Sequence, residues 1–90
     1  MSAAKFKCGK IVTTPTALDQ LTQDDTLRAL GRHQAGDWGE VDLHDRQANE
    51  RALIEGTRLF SVYHAGNGRK FWIITEADRS ATCVMMPEDY

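Results

Sequence analysis

The sequence predicts an α+β fold, an antiparallel sheet of three to four strands with two to three short helices packed on one face. Three observations predict it. Residues 58–86 read as a meander of short apolar strands, and residues 14–56 carry three sets of helix start and stop signals. A lone strand-like run precedes both. Helices and meander are segregated along the chain, which is the mark of α+β.

The first strand is expected over Phe6–Val12, with a bend at Gly9. Thr14 then reads as an N-cap with Pro15 at the first helical position, and Ala17, Leu18 and Leu21 supply a short apolar stripe. A second helix starts at once. Thr22 caps it, Asp24 and Asp25 meet the positive helix end, and Leu27 and Leu30 give the buried face. Arg32 and His33 supply positive character in the last turn, and Gly36 is the stop. The glycines of Gly36-Asp37-Trp38-Gly39 suggest a tight loop that folds the indole back onto the core. A third helix is expected from Leu43 to Glu55, capped by Asp42 and ended by Gly56, with Leu43, Ala48, Ala52 and Ile54 facing inward.

In the C-terminal third, Arg58–His64 alternates Leu59, Ser61 and Tyr63 against Phe60 and Val62. Asn67-Gly68 then signals a hairpin, because both residues accept positive φ. Lys70–Thr75 is apolar on both faces, as befits a central strand, and Ala81–Met86 closes the meander before Pro87. Between these last two strands, Glu76-Ala77-Asp78-Arg79-Ser80 has the length and chemistry of a turn. Asp78 and Ser80 are suited to bond nearby amides, and Arg79 to pair with Glu76 or Asp78.

Ninety residues allow a single domain, expected over 1–90. With 41% hydrophobic and 27% charged residues, the chain has the composition of a folded protein. A net charge of −2 argues against a dedicated nucleic-acid binder, which advertises a basic face. No apolar h-region opens the chain and no stretch is long enough to span a membrane, so a cytoplasmic location is expected. Cys8 and Cys83 lack any CxxC or Cys/His ligand spacing and read as reduced, buried thiols.

No catalytic set, cofactor loop or metal signature assembles from the spacing. The expected cofactors and metals are therefore none. Asp37, Glu40, Asp42 and Asp45, with His33 and His44, concentrate carboxylates and imidazoles, yet match no known metal spacing. The candidate binding surface joins Trp38 and Glu40 to Glu76, Asp78 and Arg79, provided that Trp38 is exposed. An alternative RNA site would gather Arg58, His64, Lys70 and Arg79, where bases steady the scissile phosphate and a histidine moves the proton.

The segments GDWGEVD, RQANERAL, GTRLFSVYH and KFWIITEADRSATCVMMPEDY resemble a family of small, largely uncharacterised bacterial proteins encoded on plasmids and integrative mobile elements. The resemblance implies a cytosolic accessory product of mobile DNA and carries over no catalytic residue. The leading expectation is a non-enzymatic, protein-binding accessory domain that modulates or inhibits a host or defence complex. The alternative is a small RNA-binding or RNA-cleaving toxin-like protein. A third possibility is a stand-alone structural homodimer built by pairing edge strands, and the expected state is a monomer or homodimer.

Overall fold

A computed structural model describes residues 4–90. Residues 1–3, on which the expectation of no export signal partly rests, lie outside it. The elements are β1 (Lys10–Thr13), α1 (Pro15–Gln20), α2 (Gln23–Gln34), α3 (Leu43–Glu55), β2 (Leu59–His64), β3 (Lys70–Thr75), β4 (Ala81–Met85) and a short 3-10 turn (Pro87–Asp89).

The helix signals act as the sequence implies. The Thr14 hydroxyl accepts from Ala17 N–H at 3.2 Å with Pro15 behind it. Thr22 and Asp25 cap each other reciprocally at 3.0 Å. Asp42 accepts from Asp45 N–H at 2.8 Å, and Gly56 ends α3 in the left-handed conformation.

The meander β2-β3-β4 is antiparallel, as expected, and β1 joins its β4 edge to give the order β1-β4-β3-β2. One expectation needs correction. β1 runs parallel to β4, so the sheet is mixed and not wholly antiparallel. A strand that leaves into helices is free of the tight turn that forces antiparallel pairing. β1 also starts only at Lys10, because Gly9 adopts φ +65° and ends the extended path. Residues 5–8 instead run beside α2, with Lys5 N–H donating to Gln34 C=O at 2.8 Å.

Register assigns the faces. Leu59, Thr75, Thr82 and Ile11 form one cross-strand row, and Ser61, Ile73, Val84 and Thr13 the next. Ala17 of α1, and Leu21, Ala29 and Leu30 in or just before α2, pack on this face with Tyr63, Phe71, Ile73 and Val84. A second cluster joins Trp38, Val41, Ala52, Leu59 and Val62 around the β2 edge. There α3 turns differently from the expected stripe. Asn49 and Ala52 are buried, whereas Leu43 and Ile54 are 68% and 87% exposed and Ala48 also faces solvent. The cause is Asn49, whose side-chain amide donates to Phe60 C=O at 2.6 Å and accepts from Phe60 N–H at 3.0 Å. These two bonds fix the rotation of α3 against the strand.

The β2–β3 connection falls where Asn67-Gly68 signals it but spans five residues, 65–69, and only Gly68 of the pair takes positive φ. Asn67 acts through its side chain, accepting from Arg69 N–H and donating to Gln20 C=O, both at 2.9 Å.

Candidate functional site

The residues singled out from sequence fall into three separate places. Trp38 is 3% exposed. The glycines beside it fold the indole inward, as expected, and its N–H donates to Glu50 Oε2 at 2.7 Å. The condition for Trp38 as an exposed anchor is therefore not met. Glu40, on the same loop, pairs with His64 Nδ1.

The 76–80 segment is a turn. Glu76 N–H donates to Ala81 C=O, and Arg79 N–H to Glu76 C=O, both at 2.9 Å. Asp78 accepts from Ser80 N–H at 2.9 Å, and the Ser80 hydroxyl together with that amide holds its carboxyl below the usual range. Arg79 sits at φ +62°, a conformation that L side chains rarely adopt. Its half-buried guanidinium donates to four carbonyls: Thr57, Glu76 and Ala77 at 2.7–3.2 Å, and Ala52 at 3.0 Å. The last sits in the final turn of α3, so the cation meets the negative helix end. Arg79 ties the turn to α3 and to the Phe6 ring, whose centroid is 5.7 Å away.

The four basic or titratable residues of the RNA alternative do not converge. His64 and Lys70 pair across β2 and β3 at one end of the sheet. Arg58 lies at the other end, six residues along an extended chain and so about 20 Å away, where it pairs with Glu76 at 3.2 Å. Arg79, half-buried, is taken up by its four carbonyls.

Two titratable clusters remain. Asp42, His44 and Asp45 bring one ligand atom each within 4.8 Å of one another. They lie at the exposed start of α3, where Asp42 already serves as the cap. The second cluster is wholly interior, although His33 was expected to supply positive character in the last turn of α2. His33 is fully buried, not a solvated cation in a last turn. Its Nδ1 meets Ser61 Oγ at 2.6 Å and its Nε2 meets Thr75 Oγ1 at 2.8 Å. Burial and the nearby Arg79 cation lower its pKa to about 4, so the ring is neutral. Burial likewise raises both thiols. Cys83 stands opposite Val12, not Cys8, and both cysteines are free.

The strongest surface feature is the sheet face turned away from α1 and α2. Its rows are Phe60, Ile74, Cys83 and Val12, then Val62, Trp72 and Met85. Phe60, Trp72, Cys83 and Met85 are only half-buried, and Val12 is 42% exposed. Tyr90, 75% exposed, meets Trp72 edge-on at 5.7 Å, and Trp72 meets Phe60 edge-on at 5.2 Å. Around this aromatic trio lies a hollow of about 290 Å³, rimmed by Arg58 and Asp45. The binding surface expected from sequence lies elsewhere; the local trace of this face is the two-sided apolarity of β3, which reads as the mark of a central strand. Tyr90 gave no signal, because a terminal aromatic has no periodicity.

Comparison with protein-family models, curated proteins and solved structures returns no match for the chain. Among the described residues no helix is long and apolar enough to cross a membrane.

Proposed function

We propose that the chain is a non-enzymatic, protein-binding accessory domain whose docking surface is the bare sheet face centred on Trp72. The observation that carries this reading is the run of half-buried apolar side chains Phe60, Trp72, Cys83 and Met85, extended by Val12 and Tyr90. Aromatic anchors of this kind dominate interface energetics. The buried state of the Ser61–His33 pair and the raised thiol pKa values also favour binding over nucleophilic chemistry. The partner we propose is a component of a host or defence complex, a choice that rests on the resemblance to proteins of mobile elements. A photo-crosslinking residue placed at Met85 is expected to trap one protein in the producing cell. The adduct should vanish with Trp72→Lys. No adduct at Met85, or an equal one from the exposed Ala48 of α3, would overturn the reading.

One observation favours a second reading, an RNA-binding surface. Phe60, Trp72 and Tyr90 line one hollow with Arg58, and single-stranded bases stack on such aromatics. The charge balance of −2 weighs against it. Titration of a fluorescent single-stranded RNA by anisotropy separates the two. Saturable, salt-sensitive binding lost in Trp72→Ala and Arg58→Ala would favour RNA, and a flat trace would favour protein.

A further inference from the structure

We propose that β1 is the seam of a homodimer, in which two copies pair their β1 strands antiparallel and join two sheets into one. The argument starts from the unused backbone of β1. Lys10 N–H donates to Ser80 C=O and Thr14 N–H to Val84 C=O, both at 3.0 Å. Alternate residues of a strand direct their amides to opposite edges, so Lys10, Val12 and Thr14 serve β4 while Ile11 and Thr13 face outward. Among the described residues, no backbone partner meets the amides or carbonyls of Ile11 and Thr13 on that side.

The opposite edge of the sheet is closed along Phe60 and Val62. Asn49 occupies the outward groups of Phe60. Residues 38–40 occupy those of Val62, with Glu40 N–H donating to Val62 C=O at 2.8 Å and Val62 N–H to Trp38 C=O at 3.1 Å. One open edge and one closed edge let self-association stop at two copies, where two open edges would propagate a fibre.

Composition of the open edge suits a second copy. Beside β1 lies a groove of about 590 Å³ whose lining, including Ile11, Leu18, Leu21, Leu27 and Leu30, carries no charged residue. Ile11, Leu18 and Leu27 are 44%, 67% and 61% exposed. An uncharged, apolar occupant is required, and the same surface on a second copy supplies one. The hydrogen-bonding pattern then selects the register. Outward residues must face outward residues, so Ile11 pairs with the second copy's Thr13 and Thr13 with its Ile11, each pair exchanging both bonds. Val12 meets Val12 at the two-fold axis, and Lys10 faces Thr14 of the second copy, so no like charges oppose. A two-fold axis perpendicular to the sheet keeps both bare faces on one side. The row Phe60, Ile74, Cys83 and Val12 therefore continues into its copy, and the proposed partner surface doubles without being covered.

The test is the mass in solution with a register-specific crosslink. Sedimentation equilibrium over a concentration series should show about twice the 10.1 kDa chain mass at the upper end. Thr13→Pro removes only an outward N–H, and Ile11→Lys places a charge in the seam. Each should return the protein to single-chain mass with its circular dichroism unchanged. In a Cys83→Ser background, Val12→Cys should oxidise readily to a covalent dimer. Facing residues of a non-hydrogen-bonded antiparallel pair have Cα atoms about 4.5 Å apart, within disulfide range. Lys10→Cys should crosslink at least tenfold more slowly. A wild-type chain that keeps single-chain mass throughout would overturn the proposal, as would dimers that survive Ile11→Lys. If both seam variants unfold, the crosslink decides alone, and equal rates at positions 10 and 12 count against the seam.

Discussion

His33 donates its Nε2 proton to Thr75 Oγ1 across 2.8 Å, and the direction of that bond follows from a carbonyl two links away. Thr82 Oγ1 lies 2.8 Å from Cys8 C=O, which only accepts, so the Thr82 proton is committed there. Thr75 must then give its own proton to Thr82, across 2.8 Å, and accept one from His33. His33 Nδ1 is left bare and accepts from Ser61. The chain of hydroxyls thus selects one neutral tautomer and joins α2, β2, β3, β4 and the segment before β1.

The pH dependence of this network has a fixed sign. Above about pH 6.5 the ring is neutral whether the chain is folded or not, and no penalty arises. Between the ordinary value of 6.5 and the folded value of about 4, only the unfolded chain takes up the proton, so stability falls with pH across that window. The loss reaches about 3 kcal/mol at 1.36 kcal/mol for each pH unit of separation. Urea melts between pH 7 and 4, compared with His33→Gln, will show whether this slope disappears with the ring. Nitrogen-15 NMR is expected to find the proton on Nε2.

Arg79→Ala is expected to cost about 2–4 kcal/mol, because charge-assisted bonds are each worth about 1.5–3 kcal/mol and the released carbonyls are partly shielded. Arg79→Lys should restore little, since one ammonium cannot span Thr57, Ala77 and Ala52 as the planar fork does. Chemical denaturation measures both. A loss below about 0.5 kcal/mol for Arg79→Ala would return this residue to the list of free surface cations.

Two glycines should respond to alanine with opposite signs. At Gly39, φ is +74° and an added methyl would run into the Val62 carbonyl, so Gly39→Ala should cost more than about 2 kcal/mol and loosen the 38–40 bridge. Gly31 lies in the middle of α2 with nothing within 4 Å of a new Cβ. There alanine should add about 0.5–1 kcal/mol, by reducing the freedom of the unfolded chain. Thermal melts of the two variants provide the comparison.

Asn49→Leu removes both bonds to Phe60 and reopens the β2 edge. The expected cost is about 2 kcal/mol, with aggregation rising with concentration, since Phe60 then leaves unpaired backbone groups on the β2 edge as well. Light scattering of the folded variant reads this directly. An Asn49→Leu protein that remains as small as the wild type would mean that α3 shields the edge by bulk alone.

Much of this fold is legible in the sequence because its signals are local. Thr14-Pro15, Thr22 with Asp25, Asp42 and Gly56 act within one helical turn, and strand alternation assigns Leu59, Ser61 and Tyr63 to one face without reference to anything distant. The parallel β1–β4 pairing was not legible, since it depends on where two helices return the chain. Asn49 was passed over and His33 misread for one reason: each is a polar residue satisfied by groups far away in sequence, such as Phe60 and Thr75. Arg79 read as a surface cation because nothing local reveals that its turn abuts the end of α3. The proposed docking face left a trace in the two-sided apolarity of Lys70–Thr75, which reads instead as a central strand, and Tyr90 joined it only through folding.

The two tryptophans provide the most direct test of the bare sheet face as a docking surface, because one lies on it and the other is buried behind the β2 edge. The chain would be labelled with 5-fluorotryptophan and its fluorine spectrum followed as lysate of its own host cell is added. The account predicts that the Trp72 resonance shifts or broadens while that of Trp38 holds its position, and that Met85→Lys abolishes the change. A Trp72 signal indifferent to lysate, or a response confined to Trp38, would contradict it.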